Sequence, residues 1–138
     1  MVLPVSWSRA RQELDAAIRL RAPRAVLGLG VSRTRPGVQV ETRAVRLCAD
    51  LPDVDGLRQA DLGPGPEALG LRFDAAPLAR QLGGTLSLDA GRYLCNAWLY
   101  WMLRDHPDLP AVFVHLGAFE DLPAERLRAA LPGLLASC

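Results

Sequence analysis

Short apolar runs alternate with helix-period segments along this chain, and that alternation constrains its fold more than any other feature. Ala25 to Val31 has the pattern of a buried strand. Val38, Val40, Thr42 and Ala44 alternate with Gln39, Glu41, Arg43 and Val45, which predicts a second strand. Thr85 to Leu88 and Ala111 to Leu116 read as further strands, the latter bounded by Pro110 and Gly117, and Val2 to Val5 as another. Helices are expected between them. Ser8 to Ala22 has Ser8 as a possible N-cap, Leu14, Ala17, Ile18 and Ala22 at helical spacing, and Pro23 as its stop. Asp74 to Leu82 is capped by Asp74 and stopped by Gly83-Gly84. Tyr93 to Asp105 carries Leu94, Trp98, Trp101 and Met102 on one face. Pro123 to Leu131 starts with a proline suited to a first helical turn. Asp50 to Pro66, with three Pro and three Gly, is expected to be loop. This order predicts an α/β three-layer sandwich: a mostly parallel twisted sheet with helices on both faces. With no repeat, low-complexity tract or linker, residues 1–138 read as one domain.

Composition removes several classes of function. Sixteen basic residues face 15 acidic ones, for a net charge of +1, which excludes a broad electrostatic grip on nucleic acid or acidic membrane. Every basic residue is Arg, so Schiff-base and P-loop lysine chemistry have no candidate. Cys48, Cys95 and Cys138 lie far apart with no CxxC pair, and His106 and His115 are the only histidines. That set fits neither a disulfide scaffold nor a structural zinc site. Gly28-Leu29-Gly30 lacks the third glycine of a dinucleotide fingerprint, because Arg33 stands in its place. No metal or organic cofactor is expected. No apolar run approaches the ~20 residues of a membrane span, and the start shows no secretory leader. A cytoplasmic protein is the expectation.

Three residues can carry chemistry. Cys95 follows a strand and a glycine turn and lies in the first turn of the next helix, where free N–H groups and the helix dipole favour a thiolate and can stabilise an oxyanion. It also reads as a small buried residue at a helix start. His115 lies at the presumed carboxyl end of a strand, where open α/β sheets form sites. There it reads either as a base for a thiol or as a strand-end residue against solvent. Glu41 interrupts a Val-rich strand, either to orient an imidazole or as an exposed strand residue. His106, before Pro107, reads as a surface residue. The stripe Tyr93, Trp98, Tyr100, Trp101 reads as core or interface rather than as a base-stacking platform.

Together these residues resemble the pyroglutamyl peptidase type I (pyrrolidone-carboxylate peptidase) family of cysteine peptidases. Ala90-Gly-Arg-Tyr-Leu-Cys-Asn-Ala-Trp-Leu-Tyr100 is similar to the family's Ala-Gly-x-Tyr-x-Cys-Asn-x-x-x-Tyr motif around the nucleophile. Ala111-Val-Phe-Val-His115-Leu resembles the strand of its catalytic His, and Val38-Gln-Val-Glu41-Thr-Arg-Ala-Val the segment of its Glu. Pro52-Asp-Val-Asp-Gly56 echoes its Pro-Asp-Asn-x-Gly loop, and Leu3-Pro4-Val5 its Leu-Pro-Val strand. The resemblance covers essentially all 138 residues.

It implies a thiol peptidase that removes N-terminal pyroglutamate from peptides, with Cys95, His115 and Glu41 as triad and a thioester intermediate. Tyr93 and Leu94 fall where the family lines its lactam pocket. Val31 stands in place of a family glutamine, Arg33 and Thr34 in place of two glycines, and Arg46 in place of an asparagine. Asp50 or Leu51 occupies the place of an arginine, and the resemblance implies substrate-binding positions at Tyr93, Leu94, Val31 and Leu51. The family's N-terminal strand and aromatic loop precede its Leu-Pro-Val strand, whereas this chain begins almost at Leu3. An N-terminally shortened, divergent member is therefore expected. Its bare sheet edge, once covered by another chain, implies a homo-oligomer. The alternatives are a non-catalytic paralogue serving as a binding or assembly module, and a related amidase with altered acyl specificity.

Overall fold

The computed structural model describes residues 1–117, 125–129 and 132. Helix α1 (Trp7–Arg21) is capped by Ser6, whose side chain accepts from the Arg9 N–H, rather than by Ser8. The Trp7 N–H donates to Asp53, 46 residues away, and that long-range bond accompanies the earlier start. The helix ends at Ala22 in the left-handed region, its N–H bonded to the Ile18 carbonyl, with Pro23 immediately beyond.

Val2 to Val5, expected as a strand, is irregular. Pro4 has no N–H to give to a ladder, and the Val5 carbonyl accepts from Val54 in a loop. Strand β1 (Val26–Ser32) follows. The expected strand over 38–45 divides at Thr42 into β2 (Val38–Glu41) and β3 (Arg43–Val45). Thr42 marks the division: its N–H and its hydroxyl both donate to the Ser87 carbonyl. Strand β3 pairs antiparallel with β4 (Ala68–Gly70), which periodicity did not reveal. Residues 50–66 carry no regular strand or helix, as their Pro and Gly content predicts.

Helix α2 (Ala76–Leu82) ends at Gly83, whose φ of 68° suits a residue without Cβ. Strand β5 (Thr85–Ser87), helix α3 (Leu94–Asp105) and strand β6 (Ala111–Gly117) complete the described elements. Of the expected helix Pro123 to Leu131, residues 125–129 are helical, while Pro123 and Leu131 lie outside the described residues.

The main sheet has the order β1-β6-β2-β5. The β1–β6 and β2–β5 pairs are parallel, and β2 runs antiparallel to β6. Strand alternation then separates two cores. Ala111 and Phe113 face α1 and α3 in one, with Trp98, Tyr100 and Trp101 buried there. Val38, Val40, Val112 and Val114 face α2 in the other. Each such buried valine contributes roughly 1.5–3 kcal/mol of transfer free energy. Helices thus cover both faces of a mostly parallel mixed sheet. Among the described residues no helix is long and apolar enough to cross a membrane.

Candidate active site

The sheet register assembles the site. In β6, His115 lies on the α3 face beside Phe113, their ring centroids 5.0 Å apart. The antiparallel partner β2 sets Gln39 opposite His115 and Glu41 opposite Phe113, so Glu41 shares that face. Its carboxyl reaches diagonally to the imidazole, with Oε1 2.8 Å from Nδ1. Glu41 is fully buried rather than an exposed strand residue, and His115 is nearly so. Glu41 Oε2 is also buried and has no hydrogen-bond partner among the described residues.

On the other side β1 pairs Gly30 with His115 and Gly28 with Phe113. A Cβ at Gly30 would lie 2.8 Å from the Phe113 ring and 3.2 Å from Cys95 Sγ. The two glycines therefore leave room for the Phe113 ring and the Cys95 sulfur, a packing reason for Gly28-Leu29-Gly30. Cys95 and His115 line the same cavity, and the sulfur is one of the groups that raise the imidazole's pKa. With Nδ1 engaged by Glu41, Nε2 is the ring nitrogen left for the sulfur. Burial disfavours the imidazolium, but the hydrogen bonds and charges of Cys95 and Glu41 outweigh it, and the His115 pKa is pushed up to about 9.

Cys95 is the second residue of α3, where Tyr93 at the N-cap makes no side-chain capping bond. The amides of the first turn, that of Cys95 among them, have no carbonyl partner within the helix. Three ties hold this helix end. The Tyr93 hydroxyl donates to the Pro52 carbonyl at 2.9 Å. Asn96 Oδ1 accepts from the Val45 N–H while Nδ2 donates to the Val45 carbonyl, both at 2.8 Å. In the preceding turn, Asp89 Oδ1 accepts from the Gly91 N–H.

A cavity of about 200 Å³ opens onto Cys95 and His115, and Val31 and Tyr93 line it as well. Leu94 and Leu51, which the sequence placed at the pocket, do not line it. Leu94 packs toward the core shared by α1, α3 and β6. Leu51 is exposed in the 50–66 loop. The sequence reading missed Ser32, Thr34, Arg35 and Arg92, which complete the polar wall. Arg35 donates to the Asp89 carbonyl and carboxylate and approaches Glu41 Oε1 at 3.6 Å. Its place at the end of the Gly30–Arg35 stretch was the available signal. His106 is half-buried away from the site, its Nε2 3.3 Å from Asp15. Among the described residues no cluster of His, Cys, Asp and Glu is arranged to hold a metal ion.

No protein-family model matches the chain. Among curated proteins it is similar to pyrrolidone-carboxylate peptidase from Thermococcus litoralis, at 31% identity over 128 residues, covering 83% of this chain and 58% of the relative. The Pyrococcus furiosus pyrrolidone-carboxylate peptidase is 28% identical over 112 residues, covering 75% and 54%. The chain thus spans a little over half the length of these curated relatives. Among solved structures, the pyrrolidone carboxyl peptidase of Thermus thermophilus is 32% identical, with a TM-score of 0.75 over 99% of this chain and 81% of that one. Pyroglutamyl peptidase I from Bacillus amyloliquefaciens, at 20% identity and a TM-score of 0.77, covers 98% of this chain and 74% of its own, and shares the fold.

Proposed function

The chain belongs to the pyrrolidone-carboxylate peptidase family, and from that premise we propose that it is a cysteine omega peptidase releasing N-terminal pyroglutamate from peptides. One observation carries the reading: a buried imidazole bonded to Glu41 that lines one cavity with Cys95. In this reaction Cys95 Sγ attacks the carbonyl joining the lactam residue to the next residue, and the thiol proton passes to His115. Glu41 fixes the ring and stabilises its cation. The Cys95 N–H is the natural first donor to the oxyanion of the tetrahedral intermediate. Collapse breaks the C–N bond, and His115 protonates the departing amine. Water, deprotonated by His115, then hydrolyses the thioester. The reaction needs no metal or organic cofactor. Residues 1–138 act as one domain of a cytoplasmic homo-oligomer, in which a second chain covers the edge of β1 away from β6. That strand carries no charge or proline to blunt its edge.

Val31 supports a second reading, a related amidase or a non-catalytic binding module. It is a 67% exposed aliphatic side chain at the cavity and offers no hydrogen bond to a lactam. A site lacking such a partner loses discrimination by orders of magnitude. Hydrolysis of a pyroglutamyl anilide separates the readings. The expected rate is well below that of a family member carrying glutamine at this position, and it is abolished in Cys95→Ala and in His115→Ala. Hydrolysis that survives Cys95→Ala refutes the triad. Binding of a pyroglutamyl peptide without turnover favours the module.

A further inference from the structure

We infer that Arg35 is a positioning residue for this reaction, a clamp that ties the carboxyl group behind His115 to the turn that launches the nucleophile helix. The inference rests on the peptidase reading. Arg35 lies in the loop between β1 and β2, where its N–H donates to Ser32 Oγ at 3.2 Å. Its guanidinium then makes contacts in two directions. Nη1 donates to the Asp89 carbonyl and Nη2 to Asp89 Oδ2, the latter at 2.9 Å. Nη1 also lies 3.6 Å from Glu41 Oε1, the oxygen that His115 Nδ1 approaches at 2.8 Å.

Asp89 is itself fastened into the turn. Its N–H donates to Ser87 Oγ, and its Oδ1 accepts from Gly91, four residues before Cys95. One planar side chain therefore sets the spacing between the Glu41–His115 pair and the entry to α3. An exposed ion pair alone is worth little. Here the guanidinium forks onto one residue while facing a fully buried carboxyl group, a geometry that a lysine ammonium cannot reproduce.

The same placement has an electrostatic effect. Among the described residues, the charged and titratable groups around His115 are Glu41 from β2, Cys95 from α3, Asp89 from the turn after β5, and Arg35 and Arg92 at the cavity wall. Arg35 shares Oε1 with the imidazole and opposes its positive charge. It therefore weakens the hold of His115 on the proton that must pass to the leaving amine.

The test uses Arg35→Gln and Arg35→Lys in the full chain, with His115 titrated by NMR and pyroglutamyl anilide hydrolysis measured in parallel. Arg35→Gln should raise the His115 titration by about one unit and lower kcat about tenfold or more while KM changes little. Arg35→Lys keeps the charge, so its titration should match that of the unsubstituted protein while kcat stays reduced. An unmoved titration in a folded Arg35→Gln protein overturns the inference, and so does an unchanged kcat where the unsubstituted protein turns over. Turnover in the unsubstituted protein with an unmoved titration removes the clamp and leaves the peptidase reading standing. A raised titration without any turnover retains the coupling to Glu41 and removes the peptidase reading.

Discussion

Replacing Glu41 with Gln isolates the contact on which the candidate site turns. The substitution keeps the shape of the side chain and an acceptor oxygen but removes the charge facing the His115 cation. The Nδ1–Oε1 distance is 2.8 Å, and the side chains are 9% and 0% exposed, so solvent screens the pair little. A hydrogen bond to a charged group contributes about 1.5–3 kcal/mol, and one pKa unit corresponds to about 1.4 kcal/mol. Replacing it by a neutral hydrogen bond, worth about 0.5–1.5 kcal/mol, should lower the His115 pKa by about one unit, from the value of about 9 in the intact site. The assay is an NMR titration of the imidazole Cε1–H. The chain has only two histidines, and His106→Gln assigns the resonances. Cys95→Ala should also lower the titration, because the sulfur is the other group that raises it. A His115 that titrates near 6.5 in the unsubstituted protein refutes the reasoning. So does one that keeps its value in a folded Glu41→Gln protein. The measurement requires no turnover, so it stands apart from any question of substrate.

Further outcomes follow from the same contacts. Because the folded-state pKa of His115 is raised from 6.5 to about 9, its stabilisation is complete below pH 6.5 and is lost as pH rises through 9. The urea midpoint should therefore fall across that window, and fall less in Glu41→Gln; equal slopes would contradict the linkage. Iodoacetamide should label Cys95 faster than Cys48, whose thiol burial pushes up; mass spectrometry in a Cys138→Ser background reads the two rates, and equal rates would mark Cys95 as inert. Asn96→Ala strips both bonds from Val45 and should cost about 1–3 kcal/mol in urea unfolding; a loss below about 0.5 kcal/mol, the usual range for a surface change, would show that the β3 tie is unimportant. Gly30→Ala presses a methyl group onto Phe113 and Cys95 and should destabilise by about 1–3 kcal/mol; an unchanged midpoint would show that the ring and sulfur yield freely.

What the sequence reveals is what local periodicity and end signals encode. Ala111 to Gly117 reads as a buried strand because Pro110 and Gly117 bound an apolar run, and α3 reads as a helix from its apolar face. The segments that bring Cys95, His115 and Glu41 together were recognisable from a motif resemblance, since residue spacing alone left each of them with a bland alternative. Elements decided by distant partners were not legible. Ser6 and Ser8 are both acceptable N-caps, and the bond from Trp7 to Asp53 that accompanies the earlier start spans 46 residues. Strand β4 has three residues, too few to show a period, and takes its identity from β3. Arg35 meets Asp89 from 54 residues away. Leu51 falls at the pocket only by analogy with a family position, and nothing in the loop's composition signals that its side chain is exposed.

The antiparallel seam between β2 and β6 also governs which changes in chain length such a protein tolerates. Val38 and Val40 enter the α2 core from the strand that delivers Glu41 to His115. A single residue inserted within β2 would turn its later side chains to the opposite face, unseating a valine and withdrawing the carboxyl group together. Residues added at the exposed positions Arg33 and Thr34 of the connection ahead of β2 would leave that strand pairing intact, provided Arg35 still reaches Asp89. Descendants of this chain are thus free to vary the exposed positions of that loop around Arg35, and with them what the cavity admits. The imidazole and its carboxyl partner are inherited with the core.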